Sequence, residues 1–125
     1  MAPHERLSAF GLILCAIAMT VTGELFLKSG MNRVGPVSLL QLLPGLARAA
    51  SIPQVWIGCG CIGSGAVLWL VAISRVPLSW AYPILSLGYI LVLLFSRVIL
   101  EEPVPAIRWL GTVLILLGVF LVFRS

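Results

Sequence analysis

Four apolar runs, residues 7–31, 54–74, 80–100 and 106–123, take up most of this 125-residue chain. A helix crossing the hydrocarbon core of a bilayer needs about 20 apolar residues, so each run is long enough to span. The links between them leave no room for a separate soluble domain. Lipid cannot satisfy backbone N–H and C=O groups, so only helices and closed barrels cross it, and runs of this length predict helices. The expected fold is an all-α integral membrane protein. It is a single four-transmembrane-helix bundle over residues 1–125, an N-terminal hairpin followed by a C-terminal hairpin. Composition agrees: 61% of the residues are hydrophobic and 10% charged, more apolar surface than a soluble globule of this size can bury.

The same pattern excludes several functions. The net charge of +4 comes from basic residues near the ends of the runs, where headgroup anchoring is the usual cause, so no nucleic-acid partner is expected. Cys15, Cys59 and Cys61 fall inside the runs and read as small apolar packing residues. With His4 alone near the N-terminus, no metal site is expected. No nucleophile–base pair and no phosphate-binding loop is visible, so the chain reads as neither an enzyme nor an ATP-driven machine, and no cofactor is implied. The first run is too long and too charged for a signal peptide and is expected to be retained. Arg6, Arg75 and Arg124 fall on one side of the membrane, and Arg33, Arg48, Arg97 and Arg108 on the other. That is too even a split to fix orientation.

Along the chain, Glu24 is the one acidic residue well inside an apolar run. Lys28 follows at i+4, on the same helix face as Thr20 and Glu24. A carboxylate held at bilayer depth costs about 2.5–3.5 kcal/mol on insertion scales and usually turns toward a partner or a wet cavity. This face is expected to line a translocation path; the alternatives are a structural Glu24–Lys28 pair and a lysine snorkelling to the interface. Residues 32–52, a connector bounded by Pro36, Pro44 and Pro53, hold an apolar stretch too short to span, which reads as an interfacial turn of helix or as an extension of the second span, with Pro44-Gly45 as the break. Gly58, Cys61, Gly65, Trp69 and Ala72 recur at helical spacing as a packing face. The turn Arg75-Val76-Pro77-Leu78-Ser79 predicts that the second and third runs lie antiparallel and adjacent. In the third run Ser79, Tyr82, Ser86 and Tyr89 form a polar-tipped stripe continued by Arg97, with a mild kink at Pro83. Glu101 and Glu102 beside Pro103 read as a solvated turn, with a site role for either as the alternative. Gly111 and Gly118, seven apart on an uncharged helix, suggest a dimer seam.

Three segments carry a resemblance. Gly23-Glu24-Leu25-Phe26-Leu27-Lys28-Ser29-Gly30-Met31, then Ser74 to Tyr89 with its Ala81-Tyr82-Pro83-Ile84-Leu85-Ser86 core, then Glu101-Glu102-Pro103-Val104 with Trp109-Leu110-Gly111, resemble the small four-helix members of the drug/metabolite transporter superfamily. Within it the chain is similar to EamA-like single-unit proteins, and among these to flippase subunits that move 4-amino-4-deoxy-L-arabinose-phospho-undecaprenol for lipid A modification. The resemblance implies a multi-pass protein of the bacterial inner (plasma) membrane that pairs as a homodimer or heterodimer with a similar four-helix chain. In the related small multidrug resistance proteins a membrane glutamate exchanges protons for cationic drugs. Here Thr20 stands at that glutamate's position and Leu85 at that of its tryptophan, while Tyr82 and Ser86 are retained. Glu24 stands where flippase-like chains tend to carry glutamine.

Three functions follow as expectations. The leading one is translocation of a polyprenyl-phosphate-linked (amino)sugar or similar amphipathic lipid. Thr20, Glu24 and Lys28 would then face Tyr82, Ser86 and Tyr89; Lys28 or Arg97 would meet the phosphate, and Glu24 a sugar hydroxyl or amine. The second is proton-coupled export of a small cation or metabolite through Glu24. The third is a non-transporting assembly subunit, in which every stripe is packing.

Overall fold

The computed structural model describes residues 2–125. Helix α1, Pro3–Val34, is 32 residues long, about 48 Å at 1.5 Å per residue. It starts four residues before the apolar run. Proline at the first helical position gives up an N–H that has no partner there anyway, and the Glu5 carboxylate accepts a hydrogen bond from the Ala2 N–H at 3.0 Å. Gly35, at φ 82°, ends it, a backbone state that glycine reaches without strain.

The connector folds as a 3-10 turn, Leu39–Gln41, leading into α2, Leu42–Ala50. The expected break at Pro44-Gly45 is absent. Pro44 falls in the first turn of α2, where a missing N–H removes no helical bond. The second span is α3, Pro53–Ile73. The third span runs from Leu78 to Val98 but is broken into α4, Leu78–Leu85, and α5, Leu87–Val98. The expected kink is therefore sharper and centred on Ser86. Pro83 withholds its N–H, and both the Ser86 N–H and the Ser86 hydroxyl turn back onto the Pro83 carbonyl. Proline and serine back-bonding both bend helices. The fourth span is α6, Ala106–Arg124. All four spans are long and apolar enough to cross a bilayer, and the four run alternately up and down.

The packing is uneven along the bundle. α1 and α3 meet along their length through glycines. A Cβ on Gly23 would stand 2.6 Å from the Gly58 carbonyl oxygen, and one on Gly58 equally close to that of Gly23. Without a hydrophobic drive between helices in lipid, such close backbone approach is what joins them. The core lies at the end where α1 begins: Ala9, Ile13, Ile17 and Val21 pack with Ala72, Val76, Trp80, Ala81, Ile84 and Val119. There the Phe123 ring meets Phe10 edge-on at 5.1 Å and lies tilted against Trp80 at 5.8 Å, centroid to centroid. The second and third spans touch near their turn, where the Trp69 and Tyr82 rings meet edge-on at 6.0 Å. They then diverge rather than packing side by side as the short turn predicted. The bundle is closed at one end and splayed at the other, and α1 is the floor of the gap.

Candidate functional site

The gap between the diverging spans is a cavity of about 260 Å³, floored by Ala16, Thr20 and Glu24 of α1 and walled by Gly65 and Trp69 of α3 and Gly88 and Tyr89 of α5. Gly65 keeps its wall thin: a side chain there would run into Thr20 Oγ1, whereas one at Gly88 would only come into ordinary contact with Ile17. A second cavity of about 300 Å³ continues it toward the splayed end, lined by Glu24, Leu25, Lys28, Val92, Ser96, Leu100 and Glu102. Glu24 lines both, so the two form one groove. Its inner part is apolar and its mouth carries charge.

Depth follows from the neighbouring helix. Gly23 meets Gly58, five residues into α3, so Glu24 sits about 7–8 Å below the top of that span. Lys28 is one turn higher. Its ammonium reaches the Glu102 carboxylate at 3.8 Å, with the two side chains 54% and 41% exposed. This is the one ion pair among the described residues, and it bridges α1 to the link before α6. The expected structural pair of Glu24 with Lys28 does not form, and Glu24 has no hydrogen-bond or ion-pair partner among the described residues. Glu102 is placed by its neighbour. Glu101 takes the left-handed conformation at φ 55°, turning the chain so that the Glu102 N–H caps the Ser96 carbonyl at 3.0 Å.

The structure gathers only part of the stripe read from the sequence. Thr20, Glu24 and Tyr89 line the inner cavity and Lys28 its mouth. Tyr82 is exposed and leans on Trp69 beside the cavity rather than lining it. Ser86 does not line the groove, because the break in the third span turns its hydroxyl onto the Pro83 carbonyl. Arg97 is also elsewhere: it shares a separate surface depression with Glu101 and Arg108. Gly111 and Gly118 have nothing within 4 Å of an added Cβ; they lie on an open face of α6 whose buried residues are Thr112 and Val119. At the mouth the structure favours the alternative reading of Glu102, as a groove residue, and adds Ser96, which reading along one helix missed. The signal was topological: in an up-down bundle the end of the third span returns to the level of Lys28.

An all-helical bundle of four spans around a laterally open, charge-mouthed groove has the architecture of a membrane transporter. The model of the EamA-like transporter family matches residues 5–124, and the chain belongs to that family. It is 32% identical over 114 residues to a protein of Pseudomonas savastanoi pv. phaseolicola named a probable 4-amino-4-deoxy-L-arabinose-phosphoundecaprenol flippase subunit ArnE, covering 91% of this chain and 96% of that one. A Shewanella sediminis protein named a probable subunit ArnF of the same flippase is 34% identical over 132 residues, covering 95% and 91%. No solved structure matches. The chain is thus a multi-pass inner-membrane protein of a transporter family, and not an enzyme.

Proposed function

We propose that this chain is one subunit of a flippase for a polyprenyl-phosphate-linked aminosugar or a closely similar amphipathic lipid. The single observation that carries the proposal is the groove itself. Its apolar wall is open at the side, and Glu24 and the Lys28–Glu102 pair stand in sequence from the interior to the mouth. A lipid-linked sugar needs that combination: room at the side for the chain, and groups of both signs for the head. The relatives named as flippase subunits support the substrate class. In this reading Lys28 exchanges Glu102 for the lipid's phosphate, a charge-assisted contact, and Glu24 takes the sugar's amine or a hydroxyl. Arg97 stands apart from that path. Tyr89 and Trp69 offer ring faces to the sugar, and Thr20 a hydroxyl.

Four helices enclose a path poorly, and related folds build alternating access from two halves. The partner is therefore a second four-helix chain, identical or similar, joined through the Gly111–Gly118 face of α6. Proteoliposomes with a labelled lipid-linked aminosugar test the proposal, with and without a partner chain. Flipping that requires the chain supports it, and no flipping with any candidate partner overturns it. The unpaired carboxylate of Glu24 also favours a second reading, proton-coupled export of a small cation. Glu24→Gln separates the two: it abolishes proton-coupled export, whereas lipid flipping survives at a reduced rate.

A further inference from the structure

The connector between the first two spans is unused by the groove, yet it presents the most exposed leucines of the chain. Leu40 is 98% exposed and Leu43 80%, with Leu39, Leu42 and Leu46 also open. At 100° per residue, α2 divides into three sectors. Leu43 and Leu46 lie within about 60° of one another, Arg48 stands about 140–160° away from both, and Gly45 and Ala49 lie between. Gly45 and Ala49 are the buried residues of the helix. The protein is therefore on one flank of α2, with leucines at right angles to it on one side and arginine on the other.

The tethers hold that attitude. Gly45 lies against Val37, where an added Cβ would come within 2.4 Å of the Val37 side chain. The exposed Trp56 of α3 donates its indole N–H to the Ala50 carbonyl at 2.7 Å, and the Ser51 hydroxyl caps the Arg48 carbonyl. Trp56 and Ile57 are exposed on the exterior of α3, and the Trp56 bond to Ala50 sets that apolar exterior beside the leucine face.

We propose that the 3-10 turn and α2 form an interfacial helix whose leucine face is buried in one bilayer leaflet, the leaflet at the mouth of the groove. Its occupant is lipid, at the boundary of acyl chain and headgroup, with Arg48 and Arg33 at phosphate level. A short helix with leucines on one side and a cation on the other lies in that plane. It also sets a depth. α1 is about 48 Å long and the hydrocarbon core about 30 Å, so α1 alone leaves its vertical position free. An attached helix that floats at the interface fixes the level of Lys28 and Glu102.

The test places single cysteines at Leu43, Leu46 and Arg48 in a chain whose Cys15, Cys59 and Cys61 are alanine. Each is labelled with an environment-sensitive fluorophore, in vesicles of phosphatidylethanolamine and phosphatidylglycerol. Labels at 43 and 46 are quenched several-fold more by lipid-borne nitroxide than by aqueous iodide, and the label at 48 shows the reverse. Iodide quenching of 43 and 46 equal to that of 48 overturns the proposal. So does protection of 43 and 46 from both quenchers, which means a protein covers the face. A second measurement needs no substitution: the natural chain in the same vesicles is photolysed with a lipid carrying a diazirine at its upper acyl chain. Adducts on residues 39–46 support the proposal; adducts on the spans with none on 39–46 overturn it.

Discussion

Adding one methyl group at Gly58 tests the seam that holds the floor of the groove. In Gly58→Ala the new Cβ stands 2.6 Å from the Gly23 carbonyl oxygen and 3.0 Å from the Leu27 backbone nitrogen. Both are main chain and cannot swing aside, so α1 and α3 must separate. Overpacking of this kind costs about 1–3 kcal/mol. Removing a glycine from a helix interior also brings a gain of about 0.5–1 kcal/mol, which obscures the clash in a single measurement. Gly60→Ala supplies the control: it lies two residues along the same helix and has nothing within 4 Å of its added Cβ. The propensity gain is common to both, so their difference isolates the clash. Gly58→Ala should lie about 1–3 kcal/mol below Gly60→Ala, a factor of about 5 to 150 in the folding equilibrium. Reversible unfolding in mixed micelles with rising dodecyl sulfate, followed by tryptophan fluorescence, measures it. Equal midpoints for the two variants would refute a backbone-to-backbone seam, and with it the placement of Thr20 and Glu24 on the groove floor.

Three further outcomes are expected. In a double-mutant cycle, Lys28→Ala and Glu102→Ala should couple by less than about 1 kcal/mol in stability, because both groups are well exposed, yet each should slow transport; strong stability coupling would make the pair structural. Glu101→Gly should hold or raise unfolding resistance by about 1 kcal/mol, since a non-glycine residue pays about that in the left-handed state; a clear loss of stability in the same unfolding assay would contradict the observed turn. Gly111→Ile with Gly118→Ile should not lower the monomer's stability, since an added Cβ meets nothing at either position and each glycine removed from a helix interior gains about 0.5–1 kcal/mol, while fluorescence energy transfer between labelled chains falls; unchanged transfer would move the partner contact off this face.

The spans were legible because length and hydropathy are properties of the chain taken one stretch at a time. The same holds for the packing face Gly58, Gly65 and Ala72, whose helical spacing is a one-helix property. What failed depended on more than one element. Glu24 and Lys28 do share a face, but which partner Lys28 finds is decided by where the third span ends and by the left-handed Glu101. Ser86 sits at the right register for a cavity lining, yet at the helix break its hydroxyl turns back onto the Pro83 carbonyl three residues earlier. Arg97 follows Tyr89 by eight residues on the same helix α5, but that spacing turns it about 80° round the axis and two turns further along, onto another surface. Pro44-Gly45 has the residues of a break, and position within the helix overrode composition.

On the proposed function, in which the groove takes a lipid-linked head, charge and depth together account for an unpaired acid below a loose pair. Glu24 lies about five helical residues inside the second span's upper end, where a bare carboxylate is costly but far less so than at mid-bilayer. Were it tied to Lys28, both charges would be neutralised and nothing would remain to draw a polar head inward. The left-handed turn at Glu101 prevents this by presenting Glu102 to Lys28 instead. The Lys28–Glu102 contact is long and exposed, worth little, and so is readily exchanged for an anion arriving from the leaflet. The deeper Glu24 is then the next available group of opposite sign for a head that carries both phosphate and amine. An apolar wall alone would give such a head no reason to leave the interface.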